Sequence, residues 1–405
     1  MPFRLALSGL NAAQADLTVT ANNIANTSTS GFKGSRAEFA ELFSVSPQGV
    51  SNVAIGNGVR TSNVSQLFSQ GNIDFTDNSL DLALSGQGFF ITSQNGGLSY
   101  TRAGAFQVDR DGYVVNAQNQ RLQAYPPTDN GTFNTGALGD IQLVTSESAP
   151  AATTSADLVF NLPSNATPPT TSPFNPADQN SYNRATSLTT YDSLGAAHTA
   201  TLYFSKTANP NEWTTNLYVD GTAVGTAQTL QYSNTGALTS PAGGQITFPS
   251  YTPATGAAAM NMTFDFGDST QYGNTFNVNS VTQDGYTTGR LIGMDIDSTG
   301  VVQARFTNGR SLALGQVALA NFSNPQGLQQ LGDTNWAETF GSGQALRGQA
   351  GNSGFGLVQS GALEASNVDI TAQLVNMITA QRNFQANAQM ISTADAITQT
   401  IINIR

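Results

Sequence analysis

The residues that could perform chemistry are few in this sequence, and none completes a recognisable site. His198 is the only histidine and the chain has no cysteine, so one chain cannot form a histidine metal cluster, a histidine-based catalytic triad or a thiolate site. No nucleophile, base and orienting group occur together in a catalytic pattern. We therefore expect His198 to lie in a strand with a structural role, and we expect no enzymatic activity, metal site or cofactor.

One acidic motif partly matches a calcium-binding loop. Asp295 and Asp297 precede Gly300, and calcium loops bring alternate carboxylates and a sharp glycine turn around the ion. However, Thr299 stands where a third Asp or Asn is usual, and Phe306 stands where the loop requires Glu. The motif therefore predicts the turn of a hairpin and not a metal site.

Two other glycine-containing motifs also indicate backbone structure. Asp109 and Asp111 before Gly112 form a weaker version of the same acidic pattern, for which we also predict a turn. The glycines from Gly348 to Gly356 lack the Lys-Ser/Thr ending of a phosphate-binding loop and do not open a helix after a strand. We expect them to form a flexible connector that leads into a C-terminal helix.

The composition is typical of a protein that makes permanent contacts. Charged residues are only 10% of the 405 residues, against about 25% in an ordinary soluble domain. The net charge of -11 and the scattered basic residues argue against nucleic acid or anionic lipid as partners. The lack of a run of about 18 apolar residues argues against membrane insertion. Residues 1–15 lack the continuous apolar core of a signal peptide. If the protein is extracellular, we expect export without a cleaved signal peptide.

Apolar residues at helical spacing predict a helix at each end of the chain, over residues 1–26 and about 367–404. Ser366, with Asp369 three residues later, predicts a capping box at the start of the second helix. The N-terminal stripe comprises Phe3, Leu7, Leu10, Leu17, Ala21 and Ile24, and the C-terminal stripe comprises Ile370, Leu374, Met377, Phe384, Ala388, Ile391, Ala394 and Ile401.

Two interpretations of these helices are open. They could be ordinary amphipathic helices on a globular core, or helices that pair along one side and meet neighbouring subunits on the others. The charge pattern favours the second, because residues 366–405 contain only four charged side chains, Asp369, Arg382, Asp395 and Arg405. We therefore treat the two stripes as a candidate assembly seam.

The interior of the chain is predicted to form short strands. From residue 71 onward, apolar runs are broken by turn dipeptides such as Asn95-Gly96, which predict hairpins. Eight of the 15 prolines lie between Pro126 and Pro176, which predicts a boundary and an extended connector. Further strands are predicted at 186–191, 198–204 and 213–219, and the run 289–322 resembles the first β-region.

These patterns predict a mixed, multi-domain fold with long α-helices at both termini in a coiled-coil-like layer. Two mainly antiparallel β-domains complete it, one inserted in the other. The expected helical assembly domain comprises 1–26 and 363–405, and a connector comprises 27–70. The inner β-domain comprises 71–140 and 286–362, and the inserted outer β-domain comprises 141–285.

Motifs at both ends of the chain resemble those of the flagellar rod and hook proteins. The first is Ala21-Asn22-Asn23-Ile24-Ala25-Asn26, followed by Gly31-Phe32-Lys33. The second occupies residues 360–369 and continues at 374–378 and 381–385. Interior stretches at 86–90, 100–104 and 319–322 are similar as well. The chain is thereby identified as a member of this family over nearly its whole length.

The resemblance implies a structural role in the bacterial flagellum. Residues 141–285, which the shorter distal rod proteins lack, favour the hook branch of the family. Such a subunit is expected to polymerise into a flexible, curved extracellular tube, which acts as a universal joint between the basal-body rod and the filament and as an export conduit. The implied partners are further copies of itself, the distal rod protein, the hook cap, the hook-filament junction proteins and the flagellar export apparatus.

Two alternatives stay open at this point. A distal rod subunit would share both terminal motifs but should form a straight, rigid polymer. A secreted β-rich adhesin or a phage-tail component would share the low charge and the absence of cysteine, but would not need matched helices at its two ends.

Overall fold

The computed structural model of the chain describes residues 2–42, 56–128, 130–143 and 147–403. It is mostly β-sheet with one long helix near each end, which confirms the predicted mixed fold. The chain divides into two compact units. The first comprises Met1–Thr145, Gly293–Arg305 and Ser311–Arg405, and the second comprises Ser146–Ile292 and Phe306–Arg310. No helix in the described ranges is long and apolar enough to cross a membrane.

The elements up to the first strand of the second unit are, in chain order, α1 (Pro2–Ala25), β1 (Ser35–Glu41), β2 (Val59–Gln66), β3 (Ile73–Phe75), β4 (Leu82–Ser85), β5 (Phe89–Gln94), β6 (Gly97–Thr101), β7 (Gln107–Val108), β8 (Val114–Val115), β9 (Arg121–Tyr125), β10 (Gly139–Asp140) and β11 (Ser155–Pro163). The next group is β12 (Arg184–Tyr191), β13 (Ala197–Lys206), β14 (Glu212–Val219), β15 (Thr222–Ala223), β16 (Gln228–Tyr232), β17 (Leu238–Ser240), β18 (Gln245–Thr247), β19 (Thr263–Asp265), β20 (Thr270–Tyr272) and β21 (Asn277–Gln283). The last group is β22 (Leu291–Ile296), β23 (Val301–Phe306), β24 (Ser311–Asn321), β25 (Gln329–Gly332), β26 (Asn335–Ala337), β27 (Leu346–Gln349), β28 (Leu357–Ser360), β29 (Ala362–Glu364) and α2 (Ile370–Asn403). Short 3-10 helices lie at Gln179–Ser181 and Pro325–Gly327.

The two predicted helices are confirmed, but the predicted cap of the second is wrong. Helix α2 begins at Ile370 because Asp369 is itself the N-cap. Its Oδ1 accepts hydrogen bonds from the backbone N–H groups of Thr371 (2.8 Å) and Ala372 (3.1 Å). Ser366 lies before the helix, where its Oγ accepts the backbone N–H of Val368 at 3.3 Å. The spacing rule placed the cap three residues too early, because a carboxylate in the first turn of a helix and one at its cap look alike in sequence.

The first unit is built on a twelve-stranded sheet whose main strand order is β22-β23-β24-β9-β5-β6-β26-β25. The hairpin predicted at Asn95-Gly96 joins β5 to β6 and is confirmed. Both residues have positive φ, 52° and 84°, as a two-residue hairpin turn of the primed type requires. Aromatic side chains, including Phe89, Tyr100 and Trp336, pack edge-to-face or lie buried in one of its cores.

The second unit contains two sheets around one core. The six-stranded sheet, in the order β12-β13-β14-β16-β17 with β15 beside β14, confirms the three strands predicted near 186, 198 and 213. In the other sheet, β11 pairs in parallel with β19 and β20 and antiparallel with β21. Large aromatic side chains fill the space between them, with Phe160, Phe204 and Trp213 fully buried.

Two predicted connectors are wrong. Residues 155–163, inside the proline-rich stretch, form the strand β11, because the prolines stand at or beyond its ends and leave the interior free to pair. The glycine stretch is ordered: after β27, Gly351 N–H donates to Gly356 O at 3.1 Å. The chain then forms β28 and β29, which pair with β4 and β3, before it reaches α2. Residues 43–55 of the predicted connector 27–70 lie outside the described residues.

Candidate assembly interface

Helices α1 and α2 pack against each other in antiparallel orientation within the first unit. Asn23 Nδ2 lies 3.4 Å from Gln373 Oε1, and Gly9 lies opposite Asn387. A Cβ atom on Gly9 would stand 2.4 Å from Asn387 Oδ1. The two contacts are separated by 14 residues on each helix, so the pairing keeps a constant register. The absence of a side chain at Gly9 permits the close approach.

The most buried face of α1 is lined by small residues. Ala6, Ala13 and Thr20 are buried and follow one another at steps of seven. The predicted seam lies beside them, three residues earlier in each repeat. Of the seam residues, Leu10, Leu17 and Ile24 are half-buried, whereas Phe3 and Leu7 are exposed. Together the two rows form an a/d pattern, of which the apolar stripe alone revealed only one row.

The predicted seam of α2 divides into two groups. Met377, Phe384 and Ile391 are half-buried, and they flank Ala380, which is buried. Ile370 and Leu374 are exposed, about half of each side-chain surface remaining accessible. The side chain of Ile401 lies outside the described residues. The structure therefore brings the central seam residues of α2 to one side and leaves its first two on another.

The terminal motif anchors α1 to the β-structure through its second asparagine. Asn23 Oδ1 accepts the backbone N–H of Ser35 at 2.8 Å, and Asn23 Nδ2 donates to the carbonyl of Ser35 at 2.7 Å. Asn23 is buried, whereas Asn22 is exposed and its side chain bonds only to Asn26 among the described residues. The two neighbouring asparagines therefore have different roles.

The segment before α2 forms hydrogen bonds to the residues that follow α1. Asn367 Oδ1 accepts the backbone N–H of Gly34 at 2.8 Å, and Asn367 Nδ2 donates to the carbonyl of Leu67 at 2.6 Å. Gly31 N–H donates to the carbonyl of Glu364 at 2.7 Å. Gly31 has a φ of 69°, and a Cβ atom there would lie 2.4 Å from a backbone nitrogen. Only glycine fits this crossing.

A buried ion cluster joins these segments to the sheet. Lys33 Nζ lies 2.6 Å from Glu364 Oε1, and Arg102 Nη1 lies 3.1 Å from Glu364 Oε2. Burial lowers the pKa of Lys33 and of Arg102, while the nearby Glu364 carboxylate opposes this shift. Gly71 N–H also donates to Glu364, and Lys33 donates to the carbonyl of Ser69. One carboxylate thus compensates two buried cations.

The cluster explains part of the terminal motif. Lys33 belongs to the stretch singled out by sequence, and Arg102 belongs to the interior stretch 100–104. The sequence did not indicate that the two would share Glu364. Ala25 ends α1 as an exposed residue, and Phe32 is half-buried between Gly31 and Lys33. A lone lysine inside a charge-poor motif was the available signal for a buried ion pair.

His198 lies near the start of β13, as expected, in a polar network of the second unit. His198 and Asp192 are buried, whereas Asp220 is exposed. Its Nδ1 is 2.6 Å from Asp220 Oδ2, and its Nε2 is 3.2 Å from Asp192 Oδ2. Thr255 Oγ1 also donates to Asp192. Burial would lower the pKa of His198, but the hydrogen bonds to the two carboxylates outweigh it and raise that pKa. The network stabilises an imidazolium.

In each of the two acidic turns, an aspartate side chain accepts hydrogen bonds from backbone N–H groups of the same turn. Asp297 Oδ1 accepts the N–H groups of Thr299 (2.8 Å) and Val301 (3.0 Å). Asp109 Oδ1 accepts those of Asp111 (2.9 Å) and Tyr113 (2.8 Å). Both carboxylates therefore stabilise hairpin turns, as predicted. Across the described ranges, no group of three His, Cys, Asp or Glu side chains is placed to hold a metal ion.

Comparison with known proteins identifies the family. The model described as "Flagella basal body rod protein" matches residues 3–33, and "Flagellar hook protein FlgE/F/G D1 domain" matches 83–170. "Flagellar basal body protein FlaE D2 domain" matches 161–286, and "Flagellar basal body rod FlgEFG protein C-terminal" matches 359–404. The flagellar hook protein FlgE of Salmonella typhimurium is 40% identical over 414 residues, covering 100% of both chains. The chain belongs to the flagellar hook protein family.

Other members of the hook family are also similar over their full length. The protein from Escherichia coli K12 is 39% identical, covering 100% of both chains, and that from Borreliella burgdorferi is 34% identical, covering 98% of each. The crystal structure of Helicobacter pylori flagellar hook protein FlgE2 superposes with a TM-score of 0.55 at 15% identity. It covers 72% of this chain and 100% of that one, and it supports the fold. The hook family is a family of structural flagellar proteins and not of enzymes.

Proposed function

We propose that this chain polymerises through its terminal helices into a flexible, curved tube on the outside of the cell. The tube joins the basal-body rod to the filament as a universal joint and serves as an export conduit. The subunit itself is exported without a cleaved signal peptide. Its partners are further copies of itself, the distal rod protein, the hook cap, the hook-filament junction proteins and the export apparatus. It has no catalytic role.

The observation that carries this proposal is the exposure of α2. Ala380 is its only buried residue among those whose side chains are described. Seven large apolar side chains of this helix remain exposed: Ile370, Leu374, Val375, Ile378, Met390, Ile397 and Ile402. A helix that contributes so little to its own core and carries so few charges is suited to burial by other molecules.

Burial of the helices by other copies implies that the subunit is arranged in layers within the polymer. In the polymer, the paired helices (1–26 and 363–405) form a coiled-coil-like inner layer, and their uncharged faces line the lumen. Residues 27–70 connect this layer to an inner β-domain (71–140 and 286–362), and 141–285 form an inserted outer β-domain. The division of the chain into two compact units, one made of three separate segments, supports this assignment.

The weakly charged outer surface suits a joint that bends. Each protofilament must lengthen and shorten as a curved tube rotates, so outer contacts have to slide. Exposed strands such as β21, which carries no charged residue, can slide without breaking strong ion pairs. The inner layer can meanwhile keep firm axial contacts through apolar side chains.

Electron microscopy of the purified, concentrated protein tests the proposal. We expect curved tubes. Straight rods would favour a distal rod subunit, and no polymer at any concentration would favour an adhesin or a phage-tail component. A variant with Phe384→Asp, which puts a charge on the half-buried side of α2, should remain monomeric. The matched control Gln385→Asp changes an exposed neighbour and should disturb assembly less.

A further inference from the structure

Four asparagines in the sequence are followed directly by glycine, at Asn57, Asn95, Asn130 and Asn308. In such a pair the glycine nitrogen can attack the side-chain carbonyl carbon of the asparagine, because glycine has no side chain to hinder the approach. A bond forms between that nitrogen and Cγ, the bond from Cγ to Nδ2 breaks, and ammonia leaves. Water then opens the cyclic imide to aspartate or isoaspartate. The reaction needs only water, so the structure around each pair decides its rate.

At Asn95, in the turn between β5 and β6, both reacting groups are free of hydrogen bonds to the described residues. The side chain is exposed and its amide has no partner there. The Gly96 N–H is likewise unpaired, since the turn is closed by the pair Gln94 and Gly97 on either side. A Cβ atom on Gly96 would meet no atom within 4 Å. The nitrogen and the amide can therefore approach each other without displacing a neighbour.

At Asn308 both reacting groups are held in place. Asn308 Nδ2 donates to the carbonyl of Thr287 at 2.8 Å, and Asn308 Oδ1 accepts the backbone N–H of Arg310 at 3.1 Å. The Gly309 N–H donates to the carbonyl of Phe306 at 3.0 Å. The side chain and the glycine nitrogen must leave these three hydrogen bonds before the ring can close.

Asn130 is the intermediate case. It is exposed, but the Gly131 N–H donates to the carbonyl of Thr128 at 3.1 Å. Each net hydrogen bond shifts an opening equilibrium by about fivefold. Asn95 should therefore react about fivefold faster than Asn130 and about a hundredfold faster than Asn308. The pair at Asn57 borders residues outside the described ranges and is not ranked.

We propose that Asn95 is a site of spontaneous deamidation, at which the folded chain loses a side-chain amide without an enzyme. Aspartate is compatible with this turn, because Asp-Gly suits the same turn type as Asn-Gly. Isoaspartate adds one carbon to the backbone of a two-residue turn, whose length fixes the register of the two strands. Phe90, Ile91 and Tyr100, which are buried in the main sheet, depend on that register. The modification therefore loosens the β5–β6 hairpin as the protein ages.

Peptide mass spectrometry on the full-length chain tests the site, after incubation in mildly alkaline buffer at physiological temperature. Conversion is followed over time at Asn95, Asn130 and Asn308, in the folded chain and in guanidinium chloride. The folded chain should lose the Asn95 amide first, in the ratios given above. In the unfolded chain the three rates should converge, because the hydrogen bonds that separate them are gone. Conversion of Asn308 as fast as that of Asn95 in the folded chain, or no conversion of Asn95 there, would overturn the proposal.

Thermal unfolding of fresh and incubated protein tests the consequence for the hairpin. The incubated chain should unfold at a lower temperature. Asn95→Gly removes the amide and also suits this turn, so this variant should keep its melting temperature on incubation. Fresh Asn95→Asp should melt like the unmodified chain, which separates the effect of the new charge from that of the longer backbone. An incubated chain that carries isoaspartate at residue 95 and melts unchanged would contradict the proposed loosening, as would an equal loss in Asn95→Gly.

Discussion

Lys33 Nζ lies 2.6 Å from Glu364 Oε1, and the two side chains are 1% and 0% exposed. The pair joins the segment that follows α1 to the strand that precedes α2, although the residues are 331 positions apart. Arg102, which directly follows β6 of the main sheet, binds the second oxygen of the same carboxylate. Glu364 therefore links the segments beside both terminal helices to the main sheet, in addition to the hydrogen bonds of Asn23 and Asn367.

Glu364→Gln should destabilise the first unit strongly. The substitution keeps the shape but leaves Lys33 and Arg102 buried without a counter-charge, and breaking a buried ion pair from one side costs about 3–5 kcal/mol. Calorimetry or urea unfolding would measure the loss. Glu41→Gln, at an exposed position of β1, is the matched control and should change the free energy of unfolding by less than about 0.5 kcal/mol. Equal effects of the two substitutions would contradict this role.

Asn23→Ala should loosen α1 from β1, while Asn22→Ala should not. Asn23 makes two hydrogen bonds to Ser35, and their loss leaves a backbone donor and acceptor unpaired at a cost of about 1–3 kcal/mol. Hydrogen exchange around residue 35 would report the change. Equal hydrogen-exchange rates around residue 35 in the two alanine variants would show that Asn23 does not anchor α1 more than Asn22 does.

Gly9→Leu should weaken the pairing of the helices. A side chain at this position would collide with Asn387, and overpacking of this kind costs about 1–3 kcal/mol. Adding Asn387→Ala to Gly9→Leu should recover part of the loss. The critical concentration for polymerisation would detect this when it is measured for the unmodified chain, each single variant and the double variant. Asn11→Leu, on an exposed face of α1, serves as the control. Additive effects of the two changes would show that the residues do not touch.

The second unit should have a stability maximum in mildly acidic solution. The pKa of His198 is raised above 6.5, so its contribution is complete below about pH 6.5 and is lost as the pH rises through the folded-state value. The pKa of Asp192 is lowered to about 2 and that of Asp220 is lowered. Their contributions are present above about pH 4 and are lost as the pH falls further.

Urea unfolding of the second unit between pH 2 and 9 checks this profile. His198→Gln should remove the loss of stability on the alkaline side and lower the maximum. An NMR titration that places the pKa of His198 below 6.5 would show that burial, and not the two carboxylates, dominates its environment.

Local sequence signals predicted the elements well. Turn chemistry located the Asn95-Gly96 hairpin, and apolar periodicity located both helices, because these features depend on neighbours within a few residues. The same signals failed where a strand forms by pairing with segments that are distant in sequence. Residues 155–163 form a strand because β19, β20 and β21 pair with them, and these lie about 100 residues or more away in sequence.

The candidate interface was predicted only in outline. Leu10 and Leu17 are half-buried, but the most buried residues of α1 include Ala6 and Ala13, whose small side chains give a weak hydrophobic signal. Glu364 was not singled out as a partner of Lys33, because an ion pair between opposite ends of a chain leaves no local pattern in sequence.

The central claim is that other copies of the chain bury the exposed sides of the terminal helices. Hydrogen exchange of α1 and α2 in the dilute monomer and in the polymer tests it most directly. We predict weak protection in the monomer, since isolated apolar stripes cannot offset the cost of ordering a helix, and strong protection of both helices in the polymer. Equally strong protection of both helices in the monomer would contradict the claim and would place them in an ordinary globular core.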